Sequence, residues 1–397
     1  MTIDRTAILP VYAPPPQAFE RGEGAYLFTA EGDKYLDFIA GIAVNALGHA
    51  HPKLVRALHD QAEKLWHLSN MFRVPAQEEL ARRYVADTFA DVVFFTNSGT
   101  EAIECALKMA RKFHSGQKQP ERIDIIGFDG SFHGRSYGAI NAAGNPKYVE
   151  GFGPRLPGFV QVPFGDHGAL EAAVGPHCAA ILIEPVQGEG GCRAVPDACL
   201  RGIRELCDKT GTLLIFDEVQ SGAGRTGKLF AHEYAGITPD IMAVAKGVGG
   251  GFPMGACLAT KRAAEGMVIG THGSTFGGNP LAMAVGLAVW EEISNPDFLH
   301  HVRDMASHLT QSLEGLKDRH ADLVVELRGR GLLRGLKLVM DPKPVQIAAR
   351  DAGLLVGVAG DNVLRLAPPL IIGPREIAEA TEKLDEALHR ARKARVA

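Results

Sequence analysis

Leu213-Leu214-Ile215-Phe216-Asp217-Glu218-Val219-Gln220 is an apolar run that ends in acids, and Met242-Ala243-Val244-Ala245-Lys246-Gly247 repeats the form with a lysine at its end. A short apolar run closed by polar residues reads as a strand buried on both faces, and the charge that closes it arrives at the edge of a sheet. Glycines at 249, 250 and 251 follow the lysine. Two readings of the pair stand side by side. Asp217 and Lys246 form a structural salt bridge, or they serve one small molecule that needs both. Pyridoxal phosphate chemistry is of the second kind: an amine bonds the aldehyde, and a carboxylate keeps the pyridine nitrogen protonated so that the ring withdraws electrons.

Around these segments, short β-rich runs alternate with helical stretches from about His51 to Pro280. The runs are Val92–Thr96, Ile123–Phe128, Ala179–Glu184, Thr212–Val219, Ile241–Ala245 and Gly255–Ala259. Such alternation predicts an α/β fold with a mostly parallel sheet and helices on both faces. Before it, a Pro-rich start leads to a hairpin pattern, with Ala25–Phe28 and Tyr35–Phe38 around a Glu31-Gly32-Asp33 turn. After it come an Ala-rich helix from Leu281, a helix over 297–316, and strands around 323–339 and 363–366. A closing helix over 374–394 carries Ile377, Ala380, Leu384 and Leu388 at helical spacing. At 397 residues the chain exceeds one compact core. The expected division is an N-terminal segment (1–50) packing with a small α+β C-terminal domain (281–397), and a large domain (51–280).

Composition narrows the function classes. The chain is 46% apolar and 22% charged, with net charge -4 and no basic block, so neither a nucleic-acid nor a membrane partner is expected. No secretory pattern marks residues 1–16 and no apolar run is long enough to span a bilayer, which predicts a cytoplasmic protein. Six cysteines without a C-x-x-C pair read as reduced thiols. The histidines at 49, 51, 59 and 67 lack the companions of a metal motif, and no metal is expected.

Further segments carry chemistry. Asn97-Ser98-Gly99-Thr100-Glu101 follows a strand, and Ser98 with Glu101 predicts a capping box at the start of a helix. That helix start is either a plain cap or a phosphate site, since its free N–H groups and dipole suit an anion. In Phe132-His133-Gly134-Arg135, an aromatic ring stands ready to stack on a flat cofactor and an arginine to clamp a carboxylate. Glu189 lies in a glycine-rich loop after Ile183-Glu184-Pro185. Arg365 sits inside an apolar run, where a charge is paired or binds a ligand. Gly222-Ala223-Gly224-Arg225-Thr226-Gly227 matches a dinucleotide fingerprint, but the following stretch is too short for a crossover helix, and Asp240 lies in a turn.

Taken together, these segments resemble the class III (fold type I) pyridoxal-phosphate aminotransferases over nearly the whole chain. The most specific stretch is Phe216-Asp217-Glu218-Val219-Gln220 with Gly224-Arg225-Thr226-Gly227, Pro239-Asp240 and Ala245-Lys246. Gly41-Ile42-Ala43-Val44, Phe132-His133-Gly134-Arg135-Ser136 and Gly273-Ser274-Thr275 are similar to the branch whose amino donor is N-acetylornithine. The resemblance implies a large domain with a mostly parallel seven-stranded sheet beside the small C-terminal domain. It implies pyridoxal 5'-phosphate as the cofactor. It implies Lys246 bonded to the cofactor, Asp217 on the pyridine N–H, Val219 and Phe132 on the two ring faces, and Gln220 at the phenolic oxygen. By the same resemblance, Ser98, Gly99 and Thr100 are expected to form the phosphate cup, completed by Thr275 across a homodimer interface. The resemblance further implies that Arg135 holds the distal carboxylate of the substrate and that Ser274 also contacts the substrate. It implies Arg365 on the α-carboxylate of glutamate or 2-oxoglutarate, with Glu189 neutralising it when an ω-amino donor binds. Ornithine-specific relatives carry a tyrosine near the place of Ile42, so an N-acylated donor with no free α-ammonium is expected. Ornithine, 4-aminobutyrate, succinylornithine and succinyldiaminopimelate are the alternative donors.

Overall fold

The computed structural model describes residues 7–396; Ala397 and the first six residues of the Pro-rich start lie outside it. Its largest sheet has seven strands, in the order Val92–Thr96, Gly255–Ala259, Ile241–Ala245, Leu213–Asp217, Cys178–Ile183, Asp124–Phe128 and Phe159–Val162. Gly255–Ala259 runs antiparallel to both neighbours, and the other pairings are parallel. The edge strand Phe159–Val162 was not among the expected runs. It has four half-buried or buried residues including Gln161, too few and too mixed to announce themselves.

Strand alternation builds two cores from one sheet. Leu214, Phe216, Met242 and Val244 face one side, where Leu80, Tyr84, Leu200, Ile203, Met283 and Trp290 of three helices cover them. Leu213, Ile215, Ile241 and Ala243 face the other, against Ile103, Ala106, Leu107, Ala110 and Phe113 of the helix Gly99–Gly116. Side chains two apart share a face, so a strand covered on both sides reads as a continuous apolar run. Truncating such a residue, Phe216→Ala for example, costs about 3–5 kcal/mol.

A further core gathers Ala25, Leu36, Phe38 and Ala46 with residues from Val302 to Ala391. It lies against a four-stranded sheet of Val324–Arg330, Leu333–Leu338, Val363–Leu366 and Gly357–Ala359. Leu354–Leu355 pairs in parallel with Lys34–Asp37, tying the early hairpin to the late chain. The helix Lys343–Asp351 and these short strands lie beyond the elements expected from the sequence.

Candidate active site

The parallel strands end on one edge, where ligands of such sheets bind. Asp217 is the last residue of its strand, Lys246 follows Ala245 directly, and Phe132, His133 and Glu184 follow the ends of two others. The helix opened by Ser98 starts at the same edge. A cavity of about 320 Å³ lies there, lined among others by Ser98, Gly99, Thr100, Phe132, Asp217, Val219, Gln220, Glu189 and Lys246. Five strand or helix ends thus bring together residues spread over nearly 150 positions.

No ion pair joins Asp217 to Lys246 among the described residues, so the salt-bridge reading fails. The Asp217 carboxylate is buried and accepts from Val219 N–H at 3.0 Å, while its other oxygen meets His133 Nδ1 at 2.8 Å. Burial by itself lowers the proton affinity of the His133 ring. The adjoining Asp217 carboxylate more than offsets this and leaves it raised. His133 Nε2 is buried and has no partner among the described residues. Beneath it, Glu184 accepts from Phe132 N–H at 2.9 Å and Gly188 N–H at 3.3 Å, and burial pushes its carboxyl well above the usual range. His133 and Glu184 were given no role from sequence; the one signal was an acid closing the apolar run Ala179–Ile183.

Lys246 opens onto the cavity, yet the protein around it pushes its amine down from 10.5 to about 8. Burial is the first cause and the Arg365 guanidinium the second. The lowered value leaves a far larger neutral, nucleophilic fraction near physiological pH than an ordinary lysine has.

Ser98 caps its helix as expected, accepting from Glu101 N–H at 3.3 Å. The return arm of the capping box differs: Glu101 reaches Asn97 N–H and the Asn97 amide, one residue further back. The helix start is crowded. A Cβ on Gly99 would lie 2.7 Å from Val219 Cγ1, and one on Gly134 (φ +122°) 2.0 Å from Thr100 Oγ1. Small residues are needed there to let backbone approach the cavity.

Arg365 is buried and hydrogen-bonded to the Glu189 carboxylate, with Gln220 Oε1 at 3.4 Å from the same nitrogen. Its Nε is buried without a partner among the described residues. The fingerprint-like loop is a crossing point of the two cores instead of a dinucleotide site. Arg225 donates to the carbonyls of Leu332 and Pro368, and Asp240 is tied to Arg204 and to Leu214 N–H. Asp37 Oδ1 accepts from Ile39 and Ala40 N–H and its other oxygen meets His49. This holds residues 40–43 in a left-handed turn that carries Val44 into the cavity wall, with Ile42 (φ +65°) 46% exposed.

Four expected site residues stand apart from the cavity lining: Arg365, which reaches it through Glu189 and Gln220, and Arg135, Ser274 and Thr275. Arg135 is exposed beside Phe132, and Thr275 is exposed on a segment where Ser274 Oγ accepts from Gly277 N–H at 2.9 Å. Asn70 donates to the carbonyls of Ser274 and Gly277, fixing that segment.

The sequence profile described as Aminotransferase class-III matches residues 10–388. This chain belongs to the class III aminotransferases. Within that family it is 60% identical to "Acetylornithine aminotransferase 2" of Caulobacter vibrioides, over 98% of this chain and 97% of that protein. It is 44% identical to "Acetylornithine/succinyldiaminopimelate aminotransferase" of Yersinia pestis, over 96% of this chain and 95% of that one. Among solved structures, the ornithine aminotransferase of Toxoplasma gondii superposes with a TM-score of 0.94 at 32% identity, covering 98% of this chain and 94% of the other. The N-acetylornithine aminotransferase of Stenotrophomonas maltophilia gives 0.85 at 38%, covering 96% and 98%. The backbone therefore does not sort the family by substrate. Family membership makes pyridoxal phosphate the cofactor. The cavity fits it: an amine of lowered proton affinity, a fixed carboxylate, a helix N-terminus, and an aromatic and a branched side chain bound one space of suitable size.

Proposed function

We propose that this protein transfers the δ-amino group of N2-acetylornithine to 2-oxoglutarate, giving N-acetylglutamate 5-semialdehyde and glutamate. Bound pyridoxal phosphate supplies an aldehyde for the amino group and a protonated ring that withdraws electrons from the reacting carbon. Lys246 Nζ would hold the cofactor and would move the proton at the donor's reacting carbon. Asp217 holds the proton on the ring nitrogen, and His133 fixes that carboxylate. Ser98, Gly99 and Thr100 bind the phosphate at the helix start. Val219, Phe132 and Gln220, which line the same cavity, would help to hold the cofactor ring.

One observation carries the donor reading: Arg365 is already neutralised by Glu189. A donor meeting that pair bears no carboxylate on its reacting carbon, as an ω-amine does not. 2-Oxoglutarate, which bears one, must part the pair and take Arg365 for itself. Arg135 then holds the far carboxylate of either substrate. Ile42 offers no polar partner to a free α-ammonium, which favours the acylated donor borne by the relatives' names.

The reading extends to a homodimer acting in the cytoplasm. Thr275 stands away from its own chain's cavity and would complete the phosphate cup of the partner. Large apolar side chains exposed on and around that segment, Val268, Ile269 and Phe276 with Trp66, Met71 and Phe72, support a covered face. No helix among the described residues is long and apolar enough to cross a membrane.

A donor panel with 2-oxoglutarate as acceptor tests the substrate. N2-acetylornithine should give the highest kcat/KM. Higher values with ornithine or 4-aminobutyrate would overturn the reading. N-succinyl-diaminopimelate and succinylornithine complete the panel, the former because one relative's name includes it.

A further inference from the structure

Arg135 is exposed, and no carboxylate lies within ion-pair reach of it among the described residues. What touches it is aromatic: its guanidinium carbon lies 4.0 Å from the centroid of the Tyr148 ring and 5.8 Å from that of Phe132. The two rings meet edge to face at 5.9 Å and 87°. An aromatic face attracts a cation without neutralising it and without accepting its N–H hydrogens. An acidic partner at this place would do both, and would compete with any incoming anion.

Local structure fixes the ring. The helix Tyr137–Ala143 ends at Gly144 in the left-handed region (φ +65°). Asn145 then caps the short turn Pro146–Val149 by accepting from Lys147 N–H at 3.1 Å, and Tyr148 N–H donates to the Asn145 carbonyl at 2.9 Å. Tyr148 is half-buried and its hydroxyl makes no hydrogen bond among the described residues, so the ring and not the oxygen is what the site uses.

We propose that Tyr148 is the positioning residue of Arg135: its ring holds the guanidinium beside Phe132, which lines the cavity, with all five N–H donors available, and so sets the preference for substrates bearing a distal carboxylate. This rests on the reading of Arg135 as the distal-carboxylate ligand.

Glutarate, a dicarboxylate with no reacting group, tests the proposal by binding to the holoenzyme, followed by calorimetry and by the change it causes in cofactor absorbance. Tyr148→Leu should weaken glutarate roughly three- to thirtyfold, the span of a cation–ring contact. It should raise KM for 2-oxoglutarate alike, while kcat and the KM for pyruvate, which lacks the distal carboxylate, stay within about twofold of wild type. Tyr148→Phe should retain wild-type glutarate affinity. Adding Tyr148→Leu to Arg135→Ala should cost nothing further, because the ring acts through the arginine. If Arg135→Ala weakens glutarate and Tyr148→Leu does not, the proposal for Tyr148 falls and the role of Arg135 stands. If Arg135→Ala leaves glutarate binding unchanged, both fall. Equal losses for glutarate and pyruvate in Tyr148→Leu would mark a general structural effect and overturn the proposal.

Discussion

Two arginines at this site carry the same side chain in opposite surroundings. Arg365 is buried within a strand, pressed against the Glu189 carboxylate and close enough to Lys246 to lower its amine. Arg135 is exposed on the loop before a helix and is held by ring faces. The inner arginine is charge-compensated, so access to it depends on displacing an acid. The outer one has no acidic partner among the described residues and keeps its charge uncompensated. If both bind substrate as proposed, a site that admits an ω-amine and an α-keto acid in turn has one conditional anion receptor and one permanent one.

The largest effect should come from the inner floor. Lys246→Ala is expected to lower turnover of N2-acetylornithine by a factor of roughly 10³ or more, with loss of covalently held cofactor in the intact-protein mass. Turnover near wild type would break the assignment of the floor. Asp217→Asn should cost roughly a hundredfold or more in kcat. An amide cannot hold the ring proton as a carboxylate does, and His133 loses its charged partner.

The inner arginine gives the next test. Glu189→Gln removes the compensating charge from Arg365, so glutamate should improve as a donor relative to N2-acetylornithine by roughly tenfold in kcat/KM ratio. An unchanged ratio would mean that the pair is structural. Its electrostatics also appear in cofactor loading. The Lys246 amine titrates at about 8 in the folded protein instead of 10.5. The rate of cofactor capture by apoprotein should therefore rise about tenfold per pH unit up to that point and then level. Between about 8 and 10.5 the unfolded chain binds the extra proton, so apoprotein stability should increase with pH across this window. Removing the Arg365 charge should move the break in loading rate upward. At the outer region, Ile42→Tyr should raise free ornithine relative to N2-acetylornithine by several-fold, the smallest of these effects, since one hydroxyl only partly satisfies an ammonium.

Legibility followed burial and locality. The strand ends carrying Asp217 and Lys246 could be read because a strand covered on both faces must be apolar throughout and must show its charge at the end. The start of the 99–116 helix was readable from Ser98, although the return arm of its box settled on Asn97. The edge strand Phe159–Val162 was not, because an edge position tolerates mixed residues and leaves no period to detect.

From sequence alone come the apolar runs, the caps, the glycine-rich turns and, through their resemblance to a family, the chemistry they serve. The tertiary structure alone decided which group answers which. Asp217 pairs with His133, 84 positions away, and Arg365 with Glu189, 176 away, while Tyr148 comes to lie over Arg135. Strand order sets those meetings, and strand order depends on how two faces of one sheet are covered at once. Periodicity within a segment specifies which side chains turn inward, but it carries no information about the neighbour they will find there.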